Sequence, residues 1–311
     1  MTELDPKTRA LLELMASLGD PPLAESSPQD VRERRSRGRD LINNPSPDLA
    51  VIRDVTVAGA EGPLKARIYD TEDSEARPTL VYYHGGGFVL GDIESHDPLC
   101  RRLAHHGGFR VISIDYRLAP EAPFPAPVED AIAAAVAITE AAETYGVDPS
   151  RLALGGDSAG ANLATVAARH FARHGGPELA FQLLFYPVTQ SVDTTPSREK
   201  YADGYFLTKE GMDWFDSHYL PEGTDRADER VSPLRAAPPE GLAPALVVTA
   251  GFDPLVDEGR DYAEQMRASG VDVQYIDYPD QIHGFISFTR FSNVAEDAIV
   301  HAARAVRDAL L

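Results

Sequence analysis

Cysteine is almost missing from this 311-residue chain: Cys100 stands alone, so no intrachain disulfide can form. That fits a reducing compartment. Long hydrophobic runs are missing too, since no stretch approaches the ~20 apolar residues of a membrane span. The opening residues, Met1 to Arg9, are charged and lack the apolar core of a secretion signal. A cytoplasmic protein with no membrane partner is the expectation. Basic charge is also in short supply, with 29 Lys and Arg against 49 Asp and Glu and a formal net charge of −20. Such a surface repels phosphate backbones and argues against nucleic acid as a partner. There is no internal repeat and no low-complexity segment. What is present suffices for a sizeable core, in one large α/β domain or one domain carrying an insertion.

The first signals along the chain are helical. Leu11, Leu12, Leu14, Met15 and Leu18 recur with helical spacing over 7–18, and Pro21-Pro22 ends the run. A second helix over about 28–43 carries Arg32, Arg34, Arg35, Arg37 and Arg39. That cluster reads as a solvated face or as partners for carboxylates of the same chain. From about 49 the period changes. Residues 51–57 and 64–69 read as a strand pair, and 79–83, 110–115, 151–155, 181–185, 245–249 and 271–278 as further strands. Helical patterns over 128–143, 159–174, 255–269 and 292–310 lie among them. This order predicts an α/β fold with a mostly parallel central sheet flanked by helices. Residues 190–240 interrupt it with turn residues and two short helical patterns. They form an insertion over the strand ends, where such sheets bind ligands.

Gly156-Asp157-Ser158-Ala159-Gly160 joins an apolar strand to a helix of small residues. Strand, abrupt turn and helix are what a nucleophile elbow requires, with Ser158 at its tip. By chance alone the Gly-x-Ser-x-Gly pattern arises in roughly one chain of this length in ten, so its partners decide the matter. A serine nucleophile needs a base, an orienting acid and donors for an oxyanion. His170 and His174 lie far along the elbow helix, His218 falls in the insertion and His301 in a helix. His283 sits in a loop just past a strand, where catalytic bases are displayed. Asp253 leaves the strand at 245–249 directly, with Pro254 fixing the turn after it. Asp257 and Glu258 fall in the first turn of the next helix, where carboxylates commonly serve the helix dipole. Asp253 is the acid on this reading and Asp257 a distant second. After the strand at 79–83 comes His84-Gly85-Gly86-Gly87-Phe88, whose bare amides can approach an oxygen; His84 reads as an anchor of that loop.

Five motifs now stand in order: His84-Gly85-Gly86-Gly87, Tyr116-Arg117-Leu118-Ala119-Pro120-Glu121, the elbow at 156–160, Asp253-Pro254-Leu255-Val256-Asp257-Glu258 and His283-Gly284-Phe285. Together they closely resemble the bacterial hormone-sensitive-lipase-like carboxylesterases (family IV), in the branch whose elbow reads Gly-Asp-Ser-Ala-Gly. The resemblance covers about 50–311 and extends to the N-terminal helices. It implies an α/β-hydrolase fold with Ser158 as nucleophile, Asp253 as acid and His283 as base. It also implies an oxyanion hole from the amides of Gly86, Gly87 and Ala159. A helical cap would be built from 1–45 and 190–240 over a catalytic domain of 46–189 and 241–311. The substrate implied is a small carboxylic ester, and no cofactor is required.

Phe88, Phe206, Leu207, Met212, Trp214 and Phe215 are candidates for the acyl pocket, though packing within the cap explains the last five equally well. A cap of two segments should enclose a few hundred Å3, a size suited to acyl chains of about two to eight carbons. No metal is expected: His170 and His174 have the i, i+4 spacing of helical zinc ligands, but no Glu follows His170 and no third ligand suggests itself. An amidase, a lactonase or a lipase could run on the same machinery. A receptor on a degenerate hydrolase fold would be expected to lack a member of the triad, and none is missing. The assembly is a monomer or a homodimer on this reading.

Overall fold

The apolar runs pair into one eight-stranded sheet. In this computed structural model, which describes residues 2–311 apart from the side chains of 39 and 40, the strands are β1 (Val51–Ala58), β2 (Pro63–Asp70), β3 (Arg77–Tyr83), β4 (Arg110–Asp115), β5 (Val147–Asp157), β6 (Phe181–Phe185), β7 (Ala245–Phe252) and β8 (Val273–Ile282). Met1, and the side chain of Arg39 from the arginine cluster, lie outside the described residues. The spatial order is β1-β2-β4-β3-β5-β6-β7-β8. β2 runs antiparallel to both β1 and β4, and every other pairing is parallel. The mostly parallel sheet expected from the sequence is the one that forms. β6 is buried along its whole length and β3 along all but its first residue, as parallel strands covered on both faces must be.

Helices cover both faces. α4 (Ala126–Glu140), α6 (Ala159–His174) and α9 (Val256–Ala268) pack on one, with the short α5 (Ala142–Tyr145) following α4. On the other lie α3 (Ile93–Gly107) and α10 (Ala295–Leu310). The sequence of α10 shows why it docks: Ala295, Ala298, Ile299, Ala302, Ala303, Val306 and Leu310 repeat on one helical face, and all are buried. Burying each of Ile299, Val306 and Leu310 contributes roughly 1.5–3 kcal/mol. α6 starts at the elbow and is buried from Ala159 through Arg169, its small residues letting it lie close against the sheet.

The helix over 93–107 was not expected from the sequence. Pro98 stands inside it, and its buried face includes His96 and Arg102 beside Leu99, Cys100 and Leu103, which blurs the apolar period. Its ends did carry signals, a reciprocal cap between Asp92 and Ser95 and a left-handed Gly108. The helix expected at 128–143 is divided into α4 and α5 at Ala141.

Two further groups of helices lie outside the two layers: α1 (Pro6–Ser17) and α2 (Pro28–Ile42), then α7 (Pro196–Lys200) and α8 (Lys209–Tyr219) within 190–240. Leu4 and Leu11 pack with Ile282 and Phe288. The Asp5 amide donates to the Asp280 carbonyl (2.9 Å), the Thr8 hydroxyl to Gln281 Oε1 (3.2 Å) and the Asn44 amide to Thr289 Oγ1 (2.8 Å). The chain's beginning is therefore fastened to the segment on either side of residue 283.

Candidate active site

β3, β5, β7 and β8 run parallel, so the residues after their C-terminal ends share one rim of the sheet. Ser158 follows β5, Asp253 follows β7, His283 follows β8 and Gly86 and Gly87 lie just past β3. Ser158 adopts φ 55° and ψ −116°, a strained conformation that turns the chain from strand to helix. Its geometry demands glycine on both sides. A Cβ on Gly156 would meet the Gly160 and Tyr83 carbonyls, and one on Gly160 would land on the carbonyls of Tyr83 and His84.

His283 Nε2 lies 3.0 Å from Ser158 Oγ, and Nδ1 lies 2.7 Å from Asp253 Oδ2. The other Asp253 oxygen accepts the Leu255 amide at 2.8 Å, and Asp253 is fully buried. The imidazole is thus held from below by a carboxylate that cannot swing away, and it packs 4.6 Å from the ring of Tyr186. Asp257 is engaged elsewhere: its carboxylate accepts the Ser197 amide (2.8 Å) and pairs with Arg260 (2.9 Å), tying α7 to α9.

In the glycine loop the Gly85 amide donates to Asp157 Oδ1 at 3.0 Å. Among the described residues the amides of Gly86, Gly87 and Ala159 have no acceptor. Gly86 has φ 122°, and a Cβ there would strike the Leu90 carbonyl; at Gly87 (φ 62°) it would strike the ring of Phe215. Gly86, Gly87, Ser158 and His283 line one cavity, with Ala159 next in the chain after Ser158 and Asp253 behind the imidazole, an arrangement suited to acyl transfer.

A family described as the α/β-hydrolase fold matches residues 80–287. Over 97% of this chain and 83% of the relative, the carboxylic ester hydrolase LipN of Mycobacterium tuberculosis is 42% identical. The ethyl acetate hydrolase of Pseudomonas putida is 35% identical over 93% of this chain and 92% of its own. Among solved structures, the ester hydrolase EH1AB1 from the metagenome of Lake Arreo, complexed with a bipyridine phosphonate derivative, is 45% identical, covers 98% of both chains and superposes with a TM-score of 0.95. The chain belongs to the hormone-sensitive-lipase-like carboxylesterases.

Beneath the elbow of this carboxylesterase lies a network that the motifs did not reveal. Asp157 Oδ1 accepts the Tyr82 hydroxyl (2.8 Å) and lies 3.2 Å from His96 Nε2, while the Ser95 hydroxyl lies 2.9 Å from His96 Nδ1. Burial alone would push His96 toward neutrality, but Asp157 outweighs it and raises the His96 pKa. Burial would likewise raise Asp157, and His96 followed by the Tyr82 hydroxyl lowers it instead. His84, with its ring 5.4 Å from that of His96, goes the other way: burial, then the charge on His96, push it down to about 4. It stacks on Tyr116 at 4.4 Å, and the Tyr116 hydroxyl donates to the His84 carbonyl (2.7 Å). His84 therefore sits as an anchor of the glycine loop. His96 was missed because it lies in the one helix that the periodicity hid.

The cavity over the esterase's serine measures about 1220 Å3, above the few hundred Å3 expected from the sequence. Phe88, Phe206, Leu207, Met212 and Phe215 line it. Trp214 does not. It is buried on the opposite side of α8, where its Nε1 donates to the Ser26 carbonyl (3.3 Å), because neighbours on a helix face different directions. Leu14, Leu18, Leu41 and Val192 line the cavity too, yet they are among the most exposed large apolar side chains of the protein. They stand where the cavity meets solvent.

The arginines of α2 divide. Arg32 grips Glu121 (2.7 Å) and the carbonyls of Val89 and Ala119, while Arg34 faces Asp20 (3.5 Å). Among the described residues no helix is long and apolar enough to cross a membrane.

Proposed function

We propose that this carboxylesterase hydrolyses short- to medium-chain carboxylic esters through an acyl-enzyme on Ser158. His283 takes the Ser158 proton as Oγ attacks the ester carbonyl, and the C=O electron pair moves onto oxygen. The amides of Gly86, Gly87 and Ala159 hold that oxyanion as it collapses, and His283 returns the proton to the departing alcohol. Water, deprotonated by the same imidazole, then attacks the acyl-enzyme and releases the acid. Asp253 stays ionised, fixing the tautomer of His283 and stabilising its cation. The scheme uses neither cofactor nor metal.

The observation that carries this reading is the relay of 3.0 and 2.7 Å contacts from Ser158 through His283 to Asp253. Three amides with no acceptor among the described residues lie in the same site. Residues 1–45 and 190–240 act as the cap over a catalytic domain of 46–189 and 241–311. Their apolar side chains favour an aliphatic chain next to the ester bond, and the ethyl acetate hydrolase among the relatives supports the short end of the range. The single cysteine and acidic surface suit work in the cytoplasm.

Covalent labelling tests the chemistry. A p-nitrophenyl phosphonate ester is expected to label the protein once, at Ser158. Ser158→Ala should abolish labelling and lower kcat on p-nitrophenyl butyrate by roughly 10^6. Labelling elsewhere, or a fully active variant, sinks the assignment. Faster turnover of emulsified long-chain triglyceride than of dissolved short esters would sink the size range alone.

A further inference from the structure

Six arginine and lysine side chains line the cavity over Ser158: Arg32, Arg34, Arg35, Arg198, Lys209 and Arg226. In an acidic protein each should find a carboxylate, and five do. Arg32 pairs with Glu121, Arg34 with Asp20, Arg198 with Glu258 (2.7 Å), Lys209 with Asp213 (2.5 Å) and Arg226 with Asp216 (2.5 Å). Among the described residues Arg35 has no carboxylate within ion-pair distance. Four of the cavity's carboxylates (Asp20, Asp193, Asp213 and Asp216) are each paired with another cation, and none of the four lies within ion-pair distance of Arg35.

Arg35 is placed against an aromatic wall instead. Its guanidinium carbon lies 5.8 Å from the centroid of Phe206, whose ring stands edge-on to Phe288 at 5.0 Å. The same Phe206 ring comes within 3.2 Å of where a Cβ on Gly284 would stand, one residue after His283. One ring therefore lies between the guanidinium and the loop that carries the imidazole. Arg35 is exposed and lines the cavity beside Arg34. It remains a cation, since arginine does not deprotonate in proteins. A guanidinium stacked on a ring and lacking a partner keeps its fork of donors free for a planar anion.

We propose that Arg35 is an anion-recognition residue, and that the esters this enzyme prefers carry a carboxylate several carbons from the bond it cleaves, as half-esters of dicarboxylic acids do. This rests on the esterase reading above and names its substrate class. The ester carbonyl sits at Ser158, the methylene chain crosses the apolar floor beside Phe206, and the distal carboxylate takes the guanidinium.

Monoethyl adipate and ethyl hexanoate match in length and differ in that carboxylate. The ratio of their kcat/KM values, adipate over hexanoate, is expected to fall at least tenfold in Arg35→Gln, the loss of a charge-assisted bidentate contact. The fall should lie mostly in KM, and Arg35→Lys should recover part of it. On Ser158→Ala protein, calorimetry with monoethyl adipate should show binding that 0.5 M NaCl weakens and that Arg35→Gln removes. A ratio unchanged within twofold, or adipate binding indifferent to Arg35, overturns the proposal while ethyl hexanoate turnover leaves the esterase reading standing. Loss of turnover for both esters in the wild type would overturn both.

Discussion

The cavity has two unlike walls. On the sheet side Ser158, Asp253 and His283 are each nearly or fully buried, and each is held by named hydrogen bonds. On the helical side Leu14, Leu18, Leu41 and Val192 are exposed and make no directional contact. The first wall is over-determined: strand ends, a strained φ and obligatory glycines leave its atoms one arrangement. The second is a surface of size and polarity, which different side chains could satisfy. Substitutions on the sheet wall should therefore act on kcat, and those on the helical wall on KM and choice of substrate.

The largest test of that contrast compares neighbouring carboxylates. Asp253→Asn should lower kcat by roughly 10^4, since the amide no longer enforces the right tautomer of His283. Asp257→Asn should leave kcat nearly intact, because Asp257 holds α7 to α9 and touches nothing in the relay. Steady-state kinetics on both variants at neutral pH check this; a crippled Asp257→Asn would break the contrast at its strongest point.

A second comparison lies within α8. Trp214→Ala should cost about 3–5 kcal/mol of stability in urea unfolding, as large aromatic truncations do, with the acyl-length profile unmoved. Met212→Ala, two residues away and facing the cavity, should move the preferred acyl chain longer by a few-fold in kcat/KM. Reversed outcomes would mean that the cavity wall is drawn on the wrong face of the helix.

The smallest effect is one of pH, and it has two signs. His84 is depressed to about 4, so its contribution is fully present above about pH 6.5. It is lost as pH falls toward 4, by roughly 3 kcal/mol at most. His96 is raised, so its contribution is present below about pH 6.5 and disappears as pH rises through its folded value. Asp157 is lowered, and its share is present above about pH 4 and disappears as pH falls through its own folded value. Urea unfolding from pH 4 to 8 should show His84→Gln flattening the acid limb and His96→Gln flattening the alkaline one. Parallel curves for both variants and the wild type would remove the ion pair from beneath the elbow.

The sequence exposed the sheet wall far better than the helical one. Strand ends, glycine spacing and the order Ser158, Asp253, His283 are local signals that sum to a shared geometry, because parallel strands present all their ends on one rim. The Asp157–His96 pair was illegible, since its members lie 61 residues apart and one occupies a helix whose period is broken by Pro98, His96 and Arg102. Trp214 and Met212 could not be told apart within an insertion that has no strand to orient it. Arg35 looked like its neighbours in sequence; only the position of the carboxylates in space distinguished it.

The fastening of residues 5, 8 and 44 to residues 280, 281 and 289 sets a timetable for synthesis. Domains emerge at about 5–20 residues per second, so the first helix waits roughly a quarter of a minute to a minute for the segment it grips. Throughout that interval Leu4 and Leu11 lack the neighbours they cover in the finished protein. His283 arrives in the same late stretch, just after a strand that pairs only with β7 at the sheet's edge. On the proposed mechanism, a ribosome-bound chain already long enough to carry Ser158 and Asp253 holds a serine without its base, and hydrolysis waits for residue 283.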